Sequence, residues 1–382
     1  MVLGTKAPAR PKSVPASAAG RETKAPSARP RAPVAPAPAP APVEAQASVR
    51  LLTVDANFEG QRLDNFLLRE LKGVPKTHVY RIIRSGEVRV NKGRASADTR
   101  VAGGDVVRVP PIRLAEREQA ADAAPPREFP VLFEDDHLLV IDKPAGVAVH
   151  GGSGVSFGVI EQLRRARPEA KFLELVHRLD RETSGLLILA KRRSALVNLQ
   201  DQFRARETGK VYAALVLGAW PASLKVIDVA LHKGTNAAGE RHVRAVPADH
   251  PEAQRAISLV KVARRFEGAS LLDVTIKTGR THQIRVHLAQ AGHVILGDDK
   301  YGDFNVNRQF ARGERVPGLR FERMFLHARH LEFDHPVTGE RVALDAPLPP
   351  DCRALVDRLP PAPGAAPAGD APAAGAPTQS DH

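Results

Sequence analysis

The segment from His177 to Lys191 reads HRLDRETSGLLILAK. It places Asp180 between two arginines in a turn-rich stretch that runs directly into the apolar residues LLILA, a pattern that predicts a buried strand. A carboxylate buried beside cations keeps its charge, because the opposite charge offsets the cost of desolvation. The segment therefore predicts a core strand beside an aspartate suited to chemistry. The same residue types also occur in surface loops, where an Asp–Arg pair is solvated and contributes little.

The residues around this segment predict a domain of mixed strands and helices between 129 and 350. VLFEDDHLLVIDKP indicates a hairpin, and four further segments indicate strands: KVYAALVLG, AISLVKVARRF, SLLDVTIKTGR and MFLHARHLEF. SFGVIEQLRRARP and SALVNLQDQFRARE indicate amphipathic helices. Strands and helices follow no repeated βαβ order, so the sequence predicts an α+β fold around a large mixed or antiparallel sheet.

A smaller folded unit is predicted between 49 and 112. RLDNFLLREL places Leu63, Phe66, Leu67 and Leu71 at helical spacing, and KTHVYRIIRSG predicts a second short helix. EVRVNKG and DVVRVP then indicate strands. The unit is therefore two short helices followed by a small sheet.

This small unit is basic, with 12 Lys and Arg residues against 7 Asp and Glu residues between Arg50 and Ile112. Six cations cluster in its second helix and the strand segment after it: Lys76, Arg81, Arg84, Arg89, Lys92 and Arg94. Such a cluster is typical of a surface that contacts RNA phosphates, although the solvated face of a small domain has a similar composition.

The composition of the whole chain restricts its partners and location. A formal net charge of +13 makes nucleic acid the expected partner. No apolar run reaches the roughly eighteen residues that span a bilayer, so a soluble protein without membrane association is expected. Cys352 is the single cysteine, which excludes an intrachain disulfide framework and fits a reducing compartment. A cytoplasmic location is predicted; the Ala- and Arg-rich start leaves an organellar transit peptide as the alternative.

The two ends of the chain are predicted to be disordered, at residues 1–48 and in the tail of 351–382. Ten of the first 49 residues are proline, and Ala, Pro and Gly dominate from Pro360 onward. The charged, Ala-rich segment 113–128 predicts a linker that lets the two domains move independently.

Two segments are candidates for binding a nucleotide or a metal. VHGGSG, from Val149 to Gly154, lacks both the Lys-Ser/Thr ending and the GxGxxG spacing of nucleotide loops, so it predicts a tight turn near a site. A metal site would need His282 or His287 beside Asp180 or His177, but His282 and His287 are five residues apart and do not stack on a helix as an i, i+4 pair. Neither a nucleotide cofactor nor a metal is predicted.

Three other polar residues have a functional and a structural interpretation. Arg280 and Arg285 are better explained as anion contacts, although Arg285 on a helix with Ile284 and Leu288 facing the core would also be a surface cation. Tyr212 lies in a predicted strand, where an aromatic residue commonly packs in the core.

Three blocks, in this order, resemble those of the RluA-type pseudouridine synthases: HRLDRETSGLLILAK, the K-x-Y of Lys210 to Tyr212, and TGRTHQIRVHLAQAGHVILGDDKYG. The small unit resembles a ribosomal-protein-S4-like RNA-binding module, with RLDNFL and SGEVRVNKG at its ends. Together they are similar to the RluC type within this family, from about residue 50 to 350. The resemblance implies isomerisation of uridine in large-subunit 23S ribosomal RNA, without cofactor or metal, by a monomer.

The resemblance also implies roles for individual residues. Asp180 would be the essential catalytic carboxylate, Arg285 its ion-pair partner, and Tyr212 the ring that stacks on uracil and helps to move a proton. Arg178 would occupy the space that a flipped base vacates. His177 and Thr183 would shape the loop, and Gly185 would let the chain pass close to its neighbours.

Two hypotheses of other classes compete with this one. An RNA-binding ribosome-assembly protein that kept the fold without the reaction would lack Asp180, Tyr212 or Arg285, and all three are present. A metal-dependent RNA hydrolase would need a carboxylate cluster that the sequence does not show.

Overall fold

The computed structural model describes residues 48–71, 74–112, 124–152, 156–235 and 241–363. The tails predicted to be disordered lie outside these residues at 1–47 and 364–382, as do residues 113–123 of the predicted linker. Within the described ranges, no helix is both long enough and apolar enough to cross a membrane.

The small N-terminal domain contains the two helices and the sheet that the sequence predicts. In its described residues the elements are β1 Arg50–Thr53, α1 Leu63–Glu70, α2 Lys76–Arg84, β2 Arg89–Val90, β3 Gly93–Arg94 and β4 Val106–Val109, with a 3-10 turn at Ala56–Phe58. The antiparallel sheet has the order β1-β4-β2-β3. The predicted apolar faces of both helices are buried, including Leu63, Phe66, Ile82 and Ile83.

The large domain mixes strands and helices along the chain. Its described elements are β5 Val131–Glu134, β6 Leu138–Lys143, α3 Val159–Ala166, β7 Glu174–Leu175, β8 Ser184–Ala190, α4 Arg193–Ala205, β9 Gly209–Leu217, β10 Val226–Asp228, β11 Ala230–Thr235, β12 Arg241–Val246, β13 Ile257–Phe266, β14 Ala269–Ile276, α5 Gln283–Gln290, α6 Phe304–Ala311, β15 Leu326–Asp334, β16 Arg341–Asp345 and α7 Pro350–Arg358.

One large mixed sheet organises this domain. The described strands follow the order β10-β13-β14-β9-β15-β8-β6-β5, with β16 beside β15 and β7 beside β8. The pair β15–β8 is parallel, and its neighbours β9–β15 and β6–β8 are antiparallel. The predicted α+β fold around a mixed sheet is therefore confirmed.

Strand β8, the apolar run that follows Asp180, lies inside the sheet, and all seven of its residues are buried. Strands covered on both faces are apolar throughout, which is why this run shows no alternation. Gly185 has a φ of 109°, and a Cβ there would lie 2.3 Å from the Ala328 carbonyl oxygen of β15. Glycine thus allows β8 and β15 to meet beside the Asp180 loop.

Several described elements of the large domain are missing from the sequence prediction, among them β11, β12, α6 and α7. β11 and β12 form an antiparallel hairpin separate from the main sheet. Helix α6 follows the turn after α5, and helix α7 begins where the predicted catalytic domain ends. Cys352, Leu355 and Val356 of α7 are buried in an apolar cluster with strand residues of the main sheet, so packed structure continues past residue 350.

The two domains pack against each other. Phe58 of the small domain contacts Phe172 of the large domain, with ring centroids 5.7 Å apart, inside one buried apolar cluster. Arg193, the first residue of α4, donates hydrogen bonds to the carbonyl oxygens of Glu59 and Gly60 at 2.8 and 3.0 Å. These contacts join the domains into one packed unit, contrary to the independent movement that the linker composition suggests.

Candidate active site

An open cleft lies over the large sheet. Strands β8, β15, β9 and β14 are consecutive neighbours there, so segments distant in the sequence meet at one place. The cleft brings together seven residues that the sequence predicts for the site: His177, Arg178, Asp180, Thr183, Tyr212, Arg280 and Arg285.

Asp180 lies in a loop whose backbone is held from two sides. The Thr183 N–H donates to the Asp180 carbonyl oxygen at 3.1 Å, and Thr183 itself is buried. The Gly146 N–H donates to the Arg181 carbonyl oxygen at 2.9 Å, next to Asp180 in the chain. The loop therefore has a defined conformation at the start of β8.

Lys143 supports the same loop from the end of strand β6. Its side chain is completely buried, and its Nζ donates to the carbonyl oxygens of Pro144, Val147 and Arg181 at 2.9, 2.8 and 3.1 Å. Burial lowers the pKa of Lys143 to about 7. Among the described residues no carboxylate lies within ion-pair distance of this ammonium group.

Arg285 is buried in α5, so the interpretation as a surface cation is wrong. Its Nε and Nη2 donate to the two carboxylate oxygens of Asp298 at 2.8 and 2.7 Å, and Nη2 also contacts Asp299 at 3.0 Å. Its Nη1 lies 3.8 Å from Asp180 Oδ2. The sequence predicts Asp180 as the ion-pair partner; the direct partner is Asp298, and Asp180 makes the longer contact.

The pair with Asp298 keeps Arg285 charged and fixed. Burial raises the pKa of Asp298, but the guanidinium of Arg285 and backbone N–H groups lower it below its ordinary value overall. Burial opposes the charge of Arg285, while the carboxylates of Asp298 and Asp180 raise its pKa above the ordinary value. A bidentate pair holds the guanidinium plane in one orientation, which aims its remaining nitrogen at Asp180.

Gln283 anchors the segment before α5 to the sheet. Its side-chain oxygen accepts hydrogen bonds from Thr278 Oγ1 and the Arg280 N–H at 2.7 and 3.2 Å. Its amide nitrogen donates to Ile257 O and Ser258 Oγ at 2.9 and 3.0 Å. Every polar atom of this buried side chain is paired, so the cleft wall from 278 to 283 is rigid.

Tyr212 lies on β9 and packs in the main apolar cluster while its ring also lines the cleft. The predicted core packing of this tyrosine is therefore observed, and its ring is also accessible from the cleft. Burial and the nearby Asp180 carboxylate raise the pKa of Tyr212 above its ordinary value, so the phenol is neutral near pH 7. No described residue forms a hydrogen bond with its hydroxyl group.

His177 forms part of the cleft wall as a neutral imidazole. Its ring stacks on Phe203 with centroids 4.8 Å apart, and its Nε2 accepts the Ile188 N–H at 3.1 Å. Burial, together with the charge of Lys210, lowers the pKa of His177 to about 3. The residue thus links the Asp180 loop to β8, as a loop-shaping role requires.

Arg178 and Arg280 lie at the rim of the cleft with exposed side chains. Neither forms an ion pair with a carboxylate in the part of the chain that the structure describes. Their guanidinium groups are therefore accessible to an anionic ligand approaching the cleft.

The predicted RNA-binding cations of the small domain lie on a separate surface. All six are exposed and none lines the cleft: Lys76, Arg81, Arg84, Arg89, Lys92 and Arg94. Within the described ranges, none of them forms an ion pair with a carboxylate. We call these six residues the S4 basic surface.

The two histidines considered for a metal site point in different directions. His287 is buried and bonds to Ser258 Oγ and Val229 O at 2.9 and 3.0 Å, whereas His282 lies beside Asp180. The described residues contain no group of three or more His, Cys, Asp or Glu side chains arranged to hold a metal ion.

Comparison with known proteins shows which family this chain resembles. The model described as RNA pseudouridylate synthase matches residues 137–290, and the S4 domain model matches residues 61–107. The ribosomal large subunit pseudouridine synthase C of Yersinia pestis is 52% identical over 305 residues, which cover 78% of this chain and 92% of the relative. This chain belongs to the RNA pseudouridylate synthase family. The resemblance drawn from the three sequence blocks and the S4-like module is confirmed.

Two further members of this family extend the match along nearly their whole length. The proteins of the same name from Haemophilus influenzae and Escherichia coli K12 are each 48% identical. They cover 82% of this chain, and 96% and 97% of their own lengths. The matched region thus includes both the S4 domain and the synthase domain.

Several residues that support this cleft from outside its lining were not identified from the sequence. Asp298 and Tyr301 lie in LGDDKYGD, which indicates only a turn. Lys143 follows an apolar strand, where a lysine usually marks the exposed end. The pair of adjacent aspartates after VILG was the available signal, because a buried cation elsewhere requires a carboxylate partner.

Proposed function

We propose that this protein is a pseudouridine synthase that isomerises uridines of large-subunit 23S ribosomal RNA. One observation carries the proposal: Asp180, Tyr212 and the buried cation Arg285 line a single cleft in a chain of the RNA pseudouridylate synthase family. The substrate is inferred from the relatives, whose names describe them as pseudouridine synthases of the ribosomal large subunit. The reaction requires neither a cofactor nor a metal.

The reaction breaks the bond between the uracil nitrogen and the ribose, turns the base, and joins the ribose to a uracil carbon. That carbon loses its hydrogen as a proton, and the nitrogen gains one, so the product is an isomer of the substrate. We assign the essential carboxylate to Asp180, acting either on the anomeric carbon of the sugar or as a base on the ribose. Arg285 supplies a fixed positive charge beside this carboxylate, since its Nη1 lies 3.8 Å from Asp180 Oδ2.

Tyr212 is the proposed contact for the base. Its ring offers a flat apolar face for stacking on uracil, and its neutral hydroxyl group is unused by other described residues. The hydroxyl can then relay the proton that leaves the new attachment carbon, taking up that proton while it passes its own to solvent. His177 and Thr183 keep the adjacent loop in shape.

A uridine in folded RNA must leave its stack to reach this cleft, at a cost of about a few kcal/mol. Arg178 would fill the space that the base vacates and Arg280 would contact a phosphate; the exposed position of both side chains at the rim of the cleft supports these roles. The S4 basic surface supplies further phosphate contacts and so contributes to the choice of RNA shape. A monomeric state and a cytoplasmic location remain predictions.

The test uses cells that lack this gene and carry either the wild-type protein or Asp180→Asn. Pseudouridines of 23S rRNA are mapped by carbodiimide modification and primer extension. Asp201→Asn is the matched control, because Asp201 is an exposed aspartate on α4 paired with Arg204. We expect the wild type and the control to restore specific sites and Asp180→Asn to restore none. Restoration by Asp180→Asn would instead support an RNA-binding protein without catalysis.

A further inference from the structure

Tyr301 and His282 form a hydrogen-bonded pair next to Asp180. Neither residue has a role in the proposed reaction so far. The Tyr301 hydroxyl lies 2.9 Å from His282 Nδ1, and its oxygen accepts the backbone N–H of Val243 at 3.2 Å. The other ring nitrogen of His282, Nε2, lies 3.9 Å from Asp180 Oδ2. A line of polar groups therefore runs from strand β12 to the cleft carboxylate.

These contacts favour the tautomer of a neutral His282 that carries its proton on Nε2. The Tyr301 oxygen accepts from Val243, so its own proton is available for His282 Nδ1. When Nδ1 accepts a hydrogen bond, the proton of the neutral imidazole resides on Nε2. Asp180 thus faces an N–H group and not a lone pair.

The surrounding residues hold this pair in place. His282 has a φ of 52°, a left-handed conformation in which histidine is enriched among non-glycine residues, and it immediately precedes α5. The Tyr301 N–H donates to Asp298 Oδ1 at 2.9 Å, and the Arg285 guanidinium lies 5.1 Å from the Tyr301 ring centroid. Asp298 therefore orients both Arg285 and Tyr301.

Arg285 and His282 approach the same oxygen of Asp180. Arg285 Nη1 and His282 Nε2 lie 3.8 and 3.9 Å from Oδ2, and among the described residues no side chain donates a hydrogen bond to the carboxylate. Because both groups favour negative charge on Oδ2, the other carboxylate oxygen, Oδ1, is the one that can face a ligand in the cleft.

We propose that His282, with its tautomer set by Tyr301, is a positioning residue that orients Asp180 so that Oδ1 faces the uridine. The inference rests on the proposed function, because it treats Asp180 as the reacting group. Burial lowers the pKa of His282, so the ring is neutral near pH 7, where the tautomer matters. The other charged groups that face this ring are Asp180, Arg285, Asp298 and Lys300.

The decisive variant is Tyr301→Phe, which removes the hydroxyl that sets the tautomer. We expect kcat to fall about tenfold to a hundredfold, with KM for RNA changed by less than about threefold. As the pH falls through the lowered pKa of His282, the ratio of variant to wild-type kcat should rise, because doubly protonated His282 carries a proton on Nε2 in either protein. A general loss of folding would give no such recovery.

The assay follows tritium release from large-subunit rRNA transcript labelled at the uracil carbon that becomes the new attachment point. Tyr80→Phe is the matched control, because Tyr80 donates to Asp64 within the S4 domain, far from Asp180 in the fold. His282→Asn is the second variant, since asparagine tolerates the left-handed conformation but is too short to reach Asp180. Its kcat should fall without recovery at low pH.

An unchanged kcat in Tyr301→Phe, or a loss that is equal at every pH, would overturn the role of His282. Wild-type and Asp180→Asn proteins run in the same assay separate this result from the function itself. If the wild type releases tritium and Asp180→Asn does not, the proposed function stands whatever Tyr301→Phe does. If the wild type releases no tritium, the proposed function itself is wrong.

Discussion

Cations occupy opposite environments in the two domains of this synthase. In the catalytic cleft, the Arg285 side chain is 5% exposed and forms a bidentate pair with Asp298, whose side chain is 1% exposed. On the S4 basic surface, residues such as Arg81, Arg84 and Arg89 are exposed and have no carboxylate partner among the described residues. The first kind of cation is fixed before RNA arrives, whereas the second is solvated until it does.

One residue type thus serves two purposes according to its burial. A buried arginine must be paired with a carboxylate. Its charge is then fixed in place and favours the ionised form of a neighbouring carboxylate without further movement of the protein. An exposed arginine contributes little to folding, but it releases counterions when it neutralises a phosphate. Removing cations or their partners should therefore affect stability in one domain and RNA affinity in the other.

The largest effect is expected from breaking the buried pair with Asp298→Asn. This change removes the buried bidentate partner of Arg285 and leaves only the exposed Asp299 and the longer contact with Asp180, so the free energy of unfolding should fall by up to about 3–5 kcal/mol. Urea denaturation monitored by circular dichroism measures it. Asp299→Asn is the control, because Asp299 contacts the same guanidinium but its side chain is 68% exposed. Equal stability losses in both variants would show that burial does not determine how much each contact contributes to the free energy of unfolding.

An intermediate effect is expected for Lys143, the buried cation without a carboxylate partner among the described residues. Its folded pKa of about 7 lies below the ordinary 10.5, so between these values the unfolded chain binds the additional proton. Stability should therefore rise with pH across this window, by at most about 1.4 kcal/mol per pH unit from this group. Below about pH 7 both states are charged and this dependence vanishes.

The measurement for Lys143 is urea denaturation at several pH values between about 7 and 10. Lys143→Met should remove the rise that the wild type shows. Lys261→Met, at an exposed strand position, serves as the control and should keep it. If Lys143→Met retains the full rise, the titration belongs to another group.

The smallest effect on folding is expected from the triple variant Arg81→Gln, Arg84→Gln and Arg89→Gln on the S4 basic surface. Its unfolding curve should match that of the wild type, because these side chains are exposed and form no ion pair within the described ranges. The slope of log affinity for rRNA against log salt should become shallower by about 0.7–0.9 for each phosphate that the variant no longer neutralises. Filter binding at a series of salt concentrations measures the slope. An unaltered slope would show that this surface does not contact RNA phosphates.

Local patterns predicted most of the elements that build the site. The apolar run after Asp180 is strand β8, and the helical spacing of Leu63, Phe66 and Leu67 is α1, because burial on one or both faces leaves a period in the sequence. Hairpin β11–β12 was missed since residues such as HVRA mix apolar and basic side chains without a clear period. Helix α7 was missed because PDCRALVDR lies next to a Pro- and Ala-rich tail.

The amino-acid sequence alone was sufficient for the domain order, the S4-like module, the loop and strand that carry Asp180, and the three blocks that mark the family. The folded chain was needed to show which carboxylate pairs with Arg285, which lysine is buried, and that Tyr301 and His282 stand behind Asp180. The reason is physical. Periodicity reports which face of an element is buried, but the partner of a buried charge is chosen by the distance between groups that only folding brings together.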